Sequence, residues 1–232
     1  MTTSTVSRRE AKDALYDGFA SIARALASGR RAEIVDLLSQ GERTVEEIAN
    51  EIGQSVANTS HHLRALARAK LVATRRAGTH IHYRLASSAV IDAWIALRDL
   101  ATEQLDDIDE LATAYLGDRD ELTTITRHEL LARLDRGDLI LIDVRPEPEY
   151  AAGHIPGAIS TPPDRLDIAL DELPDGEDVI AYCRGPYCVY ADDAVRTLQA
   201  RGRRAMRLED GLPEWQRNGG SVEPRRPATD GA

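Results

Sequence analysis

The sequence of 232 residues is poor in cysteine and has no long apolar segment. Its two cysteines lie five positions apart, which excludes a scaffold held together by several disulfides. No apolar run approaches the roughly 18 residues that a membrane-spanning helix needs. Residues 1–9 also lack the apolar segment of a secretory signal. We therefore expect a globular, cytoplasmic protein with no membrane partner.

Carboxylates are absent from residues 56–86, where six Lys/Arg and four His occur. Charge is also unevenly divided along the whole chain. Residues 1–86 carry 13 Lys/Arg and 9 Asp/Glu, whereas residues 87–232 carry 16 Lys/Arg and 30 Asp/Glu. A local basic stripe can bind a polyanion even on an acidic protein, since phosphate contacts are local. The alternative interpretation is a solvated basic face without a partner.

Apolar periodicity predicts several amphipathic helices in the N-terminal half, the first over residues 11–27. Further on, Thr44 and Glu47 form the pattern of a capping box. Ser55 is a second candidate N-cap, opening a helix from Val56 to about Ala69. Two short helices around Gly53 are typical of a helix-turn-helix.

The second of these helices would be the recognition helix, and a basic β-hairpin with Gly78 at its tip follows it. The N-terminal end of a recognition helix meets base edges, and a basic hairpin can reach phosphates or the minor groove. The candidate DNA contacts are Ser55, Ala57, Asn58, Ser60, His61, Arg64, Arg75, Arg76 and His80.

The run from Gly53 to Leu66, with Leu71-Val72 and residues 78–83, resembles the ArsR-type winged-helix repressors over about residues 10–116. The resemblance implies a homodimer, with the first and last helices of this half at the interface, and a double-stranded operator DNA as partner. A long predicted helix over residues 87–116 supports the dimer, because its apolar stripe is too long for so small a domain to bury. The alternative is an intramolecular packing face.

Metal sensing, a common property of that family, is not favoured by this sequence. Residues 45–51 lack the cysteines of one usual family site, and residues 87–116 lack the histidines of another. Borderline-soft metals prefer thiolate and imidazole ligands. We expect neither a metal nor another cofactor.

The C-terminal half shows apolar strands alternating with helices, which predicts a doubly wound α/β domain with a parallel sheet. The run Leu139–Arg145 is a buried strand ending in charge. Another strand, Asp178–Tyr182, leads into a loop that begins at Cys183, and a helix follows over residues 190–200. In such sheets chemistry lies at the carboxyl ends of strands. Asp143, Arg145 and Cys183 are all expected there.

These segments resemble the rhodanese domain across about residues 123–222. The resemblance is carried by Asp143-Val144-Arg145, Glu149-Tyr150, residues 153–158, Cys183 and residues 211–215. It implies that Cys183 accepts a sulfane sulfur and carries it as a persulfide, held by backbone amides that include those of Arg184 and Cys188. Asp143 and Arg145 would brace the loop rather than react. The candidate catalytic set is Cys183, Cys188, Arg184, Asp143 and Arg145.

Cys188 departs from the sulfurtransferase pattern, in which a basic residue commonly closes the loop. A phosphatase of similar architecture would need an arginine at Val189. Losing a charged contact should weaken thiosulfate binding by about 1.5–3 kcal/mol. A second thiol could instead resolve a persulfide on Cys183, releasing sulfide and leaving a disulfide. The alternative for Cys188 is a small apolar filler.

The leading hypothesis is a homodimeric repressor whose rhodanese domain detects reactive sulfur. Its expected small-molecule partners are persulfides and polysulfides, with thiosulfate a weaker candidate. One alternative is a working sulfurtransferase tethered to a DNA-binding domain. Another is a regulator whose rhodanese domain only binds a partner.

Overall fold

The computed structural model describes residues 7–174 and 176–224 of the chain. These residues form two compact units, one extending to Trp94 and the other starting at Ile95. Each unit is built around its own buried apolar side chains. Among the described residues, none of the helices combines the length and the apolar character needed to cross a membrane.

The first unit combines helices with one small antiparallel sheet. Its elements are α1 (Arg8–Leu26), α2 (Gly29–Leu38), β1 (Arg43–Thr44), α3 (Val45–Glu51), α4 (Val56–Arg68), β2 (Val72–Ala77) and β3 (His80–Leu85), followed by the start of α5 (Ser88–Gln104). Strand β3 lies between β1 and β2 and is antiparallel to both. The predicted helix-turn-helix and its β-hairpin are confirmed.

Local sequence explains where α3 and α4 begin. The Thr44 side chain accepts from the Glu47 amide while Glu47 reaches back to the Thr44 amide, so the predicted capping box is present. Gly53 follows α3 with a φ of 60°, a conformation that a Cβ would strain. Ser55 then caps α4 by accepting from the Asn58 amide. The turn is therefore set by short-range chemistry.

The core of the first unit gathers side chains of α2, α3 and α4, including Ile34, Ile48, Leu63 and Leu66. Helix α1 contributes little to it, because Leu26 is its only buried residue. Apolar side chains on α1 remain open in this single chain, among them Leu15, Tyr16, Phe19 and Ile22. The periodicity that predicted α1 thus describes an uncovered apolar face.

The single helix predicted over residues 87–116 is wrong. The segment forms α5 and a separate helix, α6 (Ile108–Leu116), with Asp107 at the N-cap position of α6. Asp is a weak former of helix interiors, and acidic side chains favour the first turn of a helix. Asp109 and Glu110 occupy that first turn. The acidic run starts a new helix rather than continuing the old one.

The second unit contains a five-stranded parallel sheet. Its strands are β4 (Thr124–Ile125), β5 (Leu139–Asp143), β6 (Ile159–Ser160), β7 (Asp178–Tyr182) and β8 (Ala205–Leu208), in the order β4-β8-β7-β5-β6. Its remaining helices are α7 (Arg127–Leu134), α8 (Glu147–Ala152), α9 (Leu166–Asp171), α10 (Val189–Ala200) and α11 (Leu212–Arg217). Strand β7 is therefore central.

Side chains of β7 alternate between two cores. Val179 and Ala181 pack in a cluster with Val195 and Leu198 of α10. Ile180 and Tyr182 belong to another cluster, which includes Trp215 of α11. Because helices cover both faces, the residues of β7 after Asp178 are all apolar or aromatic. The predicted doubly wound α/β domain with a parallel sheet is confirmed.

Candidate functional site

The cysteine loop, residues 183–188, starts where the central strand β7 ends. Cys183 and Cys188 are joined by a disulfide, with their Cα atoms 6.2 Å apart. Both are buried, with Cys183 only 2% exposed. The Cys188 amide donates to the Gly185 carbonyl at 3.2 Å, and α10 begins at the next residue. Cys188 is thus a partner of Cys183 and not merely an apolar filler.

Asp143 and Arg145 form a fully buried ion pair at the end of β5. Arg145 Nη2 lies 2.5 Å from Asp143 Oδ2 and also donates to the Gly153 carbonyl at 2.7 Å. The Tyr182 hydroxyl donates to the same carboxylate and accepts from the Ile155 amide. Since Tyr182 immediately precedes Cys183, the pair fixes the strand end from which the loop departs.

The Asp143 carboxylate raises the pKa values of the two side chains that it binds, Tyr182 and Arg145. Burial and the Asp143 charge raise the pKa of Tyr182 well above its ordinary value, so the phenol stays a donor. Burial alone would lower the pKa of Arg145, but hydrogen bonds and attraction from Asp143 outweigh it and the pKa is raised. Both side chains therefore keep their protons, and both donate hydrogen bonds to the Asp143 carboxylate.

Arg184, the next candidate residue, points to a buried carboxylate. Its guanidinium lies 2.5 Å from Glu149 Oε1, and it stands 5.6 Å from the centre of the Tyr190 ring. Glu149 is almost fully buried. The side chain of Arg184 is thus tied to Glu149 of α8.

Gly211 lies directly against the loop, a contact that sequence reasoning missed. A Cβ at this position would overlap the backbone of Arg184 and Gly185, so only glycine permits the approach. The next amide, Leu212, donates to the Cys183 carbonyl at 3.2 Å. Glu214 accepts from the Gly211 amide at 2.9 Å and holds the turn. The sequence identified the motif over residues 211–215, but not that its backbone packs against the cysteine loop.

Two arginines that sequence reasoning also missed donate to the loop's carbonyl groups. Arg119 and Arg207 both donate to the Pro186 carbonyl, at 2.8 and 3.2 Å. They share one fully buried carboxylate, Asp192. Burial and the charge of Arg119 lower the pKa of Arg207. Asp192 could have been noticed from its helical spacing with buried Val195, because a carboxylate on an apolar face needs a partner.

The candidate DNA contacts on α4 share one open face. Ser55, Ala57, Asn58, His61 and Arg64 are exposed and Ser60 is half-buried, while the intervening Thr59, Leu63 and Leu66 are buried. The Asn58 side chain donates to the Gln54 side chain at 2.6 Å, and Arg64 donates to the Ser60 carbonyl. The structure thus brings these predicted residues together.

The candidate contacts on the wing, the β-hairpin formed by β2 and β3, have different surroundings. Arg75 lies 2.6 Å from Glu42, which precedes β1, and Arg84 approaches the same carboxylate at 3.7 Å. The Arg75 hydrogen bond holds the pKa of Glu42 below its usual value. Arg76 and His80 lie exposed near the hairpin tip. Arg75 must therefore exchange a carboxylate for any phosphate it contacts.

No cluster of three or more His, Cys, Asp or Glu side chains suited to a metal occurs within residues 7–174 and 176–224. The His61 and His62 rings of α4 lie edge to face, with their centres 5.9 Å apart. Burial lowers the pKa of His62, and repulsion from His61 lowers it further.

Comparison with known proteins identifies both halves of the chain. The model of the bacterial regulatory protein arsR family matches residues 28–74, and that of the rhodanese-like domain matches residues 126–218. The chain is 45% identical over 220 residues to the HTH-type transcriptional regulator Rv0324 of Mycobacterium tuberculosis, covering 95% of this chain and 96% of that protein. The chain therefore belongs to the ArsR family of transcriptional regulators and carries a C-terminal rhodanese-like domain.

Each half also has relatives of its own. A sulfurtransferase of Allochromatium vinosum is 35% identical over 85 residues, which is 37% of this chain and 78% of that protein. The solution structure of a Mycobacterium bovis domain, Mb0332, described as a homodimeric winged helix-turn-helix DNA-binding domain, is 41% identical. The match covers 45% of this chain and 94% of that domain, with a TM-score of 0.40.

Proposed function

We propose that this regulator is a homodimeric repressor whose hold on operator DNA is set by the sulfur state of Cys183. The proposal is carried by one observation, the pairing of Cys183 with Cys188 at the carboxyl end of the central strand in a chain that belongs to a family of DNA-binding regulators. We assign DNA binding and dimerisation to residues 10–116 and sulfur chemistry to residues 123–222.

DNA binding rests on the exposed face of α4 and on the wing. A recognition helix reads bases from its N-terminal end, where Asn58, His61 and Arg64 are exposed. Arg76 and His80 at the wing tip would contact the backbone or minor groove. The segment over residues 56–86 carries no carboxylate of its own, so repulsion of phosphate there comes only from carboxylates elsewhere in the chain, such as Glu42 beside Arg75.

Dimerisation rests on the apolar faces that a single chain leaves open. Helix α1 exposes Leu15 and Phe19, with 55% and 63% of each residue accessible. Large apolar side chains are also open on α5 and α6, including Leu97, Leu100 and Leu111. Patches of this kind mark association surfaces. Two recognition helices in a symmetric dimer would read half-sites about one DNA turn apart.

The sulfur chemistry requires only the two cysteines and a sulfane donor. The Cys183 thiolate attacks the sulfane sulfur of an organic persulfide, R–S–SH, and breaks its S–S bond, so that Cys183–S–SH forms and R–S⁻ leaves. The Cys188 thiolate then attacks Sγ of Cys183 and expels hydrosulfide. Two thiols are oxidised to the disulfide, and the transferred sulfur atom is reduced to sulfide, so no further oxidant is needed.

Operator binding by the reduced protein, measured by fluorescence anisotropy before and after an organic persulfide, tests the proposal. We expect a change in affinity of at least about fivefold, the low end of typical couplings. Mass spectrometry should show one added sulfur atom on Cys188→Ser and the disulfide in the wild type. Cys183→Ser is the control and should not respond. An unchanged wild-type affinity, or a Cys183→Ser variant that responds equally, would refute the proposal.

A second candidate function, sulfur transfer as an enzyme, is favoured by the rhodanese-like match and the likeness to a sulfurtransferase. In the disulfide form both cysteines are buried, which opposes repeated turnover without a reductant. Steady sulfide release from a persulfide donor and excess thiol, many times per protein molecule, would support the enzyme. A single equivalent would support the sensor.

A further inference from the structure

Three side chains from outside the rhodanese match reach the surroundings of the cysteine loop. Arg98 and Thr102 lie on α5, and Arg119 lies between α6 and β4, whereas the match begins at residue 126. All three belong to the second unit, as does the loop. A free-standing rhodanese domain starting at residue 126 would lack these contacts.

Arg119 binds the loop's backbone directly. Its Nη1 donates to the Pro186 carbonyl at 2.8 Å, and Nη2 makes a longer contact of 3.5 Å with the Cys188 carbonyl. Its Nε lies 2.5 Å from Asp192 Oδ2, on a carboxylate that is fully buried. The guanidinium is thus held by α10 at one end and holds the loop at the other.

Helix α5 makes two further contacts around the loop. The Thr102 hydroxyl lies 3.0 Å from the Tyr187 hydroxyl, within the span between the cysteines. Arg98 donates to Glu214 at 2.7 Å, and the same carboxylate holds the Gly211 turn on which the loop rests. Helix α5 therefore contacts the loop directly through Thr102 and indirectly through Glu214, which holds the Gly211 turn.

We propose that Arg119 and Thr102 are positioning residues that hold the cysteine loop and carry its redox state into α5 and the segment that follows. This inference rests on the proposed function, because it names the route by which the state of Cys183 leaves the rhodanese-like domain. Helix α5 starts at Ser88, within the DNA-binding half of the sequence.

The contacts depend on the disulfide because they are made to the ring that it closes. Pro186 and Tyr187 lie between the two cysteines, and the Cys188 carbonyl adjoins the ring. A dithiol reductant donates two electrons and two protons to the disulfide, leaving two thiols while it becomes a disulfide itself. The opened loop regains backbone freedom. The hydrogen bonds that join Arg119 and Thr102 to the loop then have a mobile partner.

Amide hydrogen exchange of the full chain, read over residues 98–119 in the disulfide and reduced states, tests the inference. We expect exchange to be faster in the reduced wild type by on the order of fivefold. In Arg119→Gln the difference between the two states should shrink, with the Thr102 contact to the loop still in place. The variant should fold, because Arg207 still pairs with Asp192 at 3.0 Å. Its matched control is Arg136→Gln, a surface arginine paired with Asp138, which should keep the wild-type difference.

A second pair of variants removes only hydroxyl groups. Thr102 and Thr113 each donate to the carbonyl four residues earlier, but of the two only Thr102 has a hydrogen bond to the loop. Thr102→Val should reduce the difference between the two states, whereas Thr113→Val should preserve it. Equal effects of the two variants would overturn the role of Thr102.

Two readouts separate this inference from the proposed function. Equal exchange of residues 98–119 in both wild-type states, or a full difference retained in Arg119→Gln, overturns the inference even if DNA affinity responds to persulfide. A difference in exchange that Arg119→Gln reduces, with DNA affinity insensitive to sulfur, supports the inference and refutes the proposed function.

Discussion

Replacing Asp143 by Asn should strongly destabilise the second unit. The substitution keeps the side chain's shape but removes the Asp143 charge from the fully buried Arg145 guanidinium. The Gly153 carbonyl remains as an acceptor for Arg145, and the attraction of Glu149 is smaller than that of Asp143. Breaking a buried ion pair on one side typically costs about 3–5 kcal/mol. We expect the free energy of unfolding to fall by about that much.

Urea unfolding followed by Trp215 fluorescence measures this effect, in a Trp94→Phe background so that one tryptophan reports. Asp138→Asn is the matched control, because Asp138 also pairs with arginines but at the surface, and little change is expected. If Asp143→Asn unfolds at the same urea concentration as Asp138→Asn, the pair does not fix the strand end below the loop. The argument that Asp143 and Arg145 brace Cys183 would then fail.

Three further outcomes are expected. A Cβ on Gly211 would overlap the loop backbone, so Gly211→Ala should lower the free energy of unfolding by about 1–3 kcal/mol. Gly185→Ala, whose Cβ would meet only ordinary contacts, should change it little, and equal urea midpoints would contradict this. Reducing the disulfide, which closes a six-residue ring, should cost about 2 kcal/mol, with a double Cys→Ser variant insensitive to reductant. The bond to Arg75 lowers the pKa of Glu42, so this contribution to wing stability is present above the unfolded pKa and is lost as the pH falls through the lower folded pKa. After correction for the intrinsic pH dependence of exchange, amide protection of the hairpin should therefore fall at acid pH in the wild type but not in Glu42→Gln.

Features encoded by neighbouring residues were predictable from the sequence. The capping box of Thr44 and Glu47 and the N-cap at Ser55 follow from spacings of three residues, and both are present. Strand β7 was predictable because a short apolar run bounded by charge suits a strand buried on both faces. Helix α10 follows from the spacing of its apolar residues. Each inference needs only short-range chemistry and a single period.

Features that depend on distant partners were not predictable. The role of Arg119 requires its contact with Pro186, 67 positions away, and no local pattern marks it. The break between α5 and α6 opposed an apolar stripe that continued through it. The preference of acidic residues for the first turn of a helix outweighed the apolar periodicity. Periodicity alone does not show which of the two effects is stronger. Arg75 was expected at a phosphate, but in the free chain Glu42 holds it.

The pairing of charges around the loop bears on which sulfur donors suit it. Arg184 pairs with Glu149, Arg98 with Glu214, and Arg119 and Arg207 share Asp192. The arginines described beside the loop are thus largely neutralised, and Cys188 stands where a basic residue would close a sulfurtransferase loop. A dianion such as thiosulfate would depend on backbone amides for most of its stabilisation. A persulfide carries at most one charge on its sulfur terminus and needs less. On the proposed function, we therefore expect persulfides to be better donors than thiosulfate, and a response to sulfur state rather than rapid turnover.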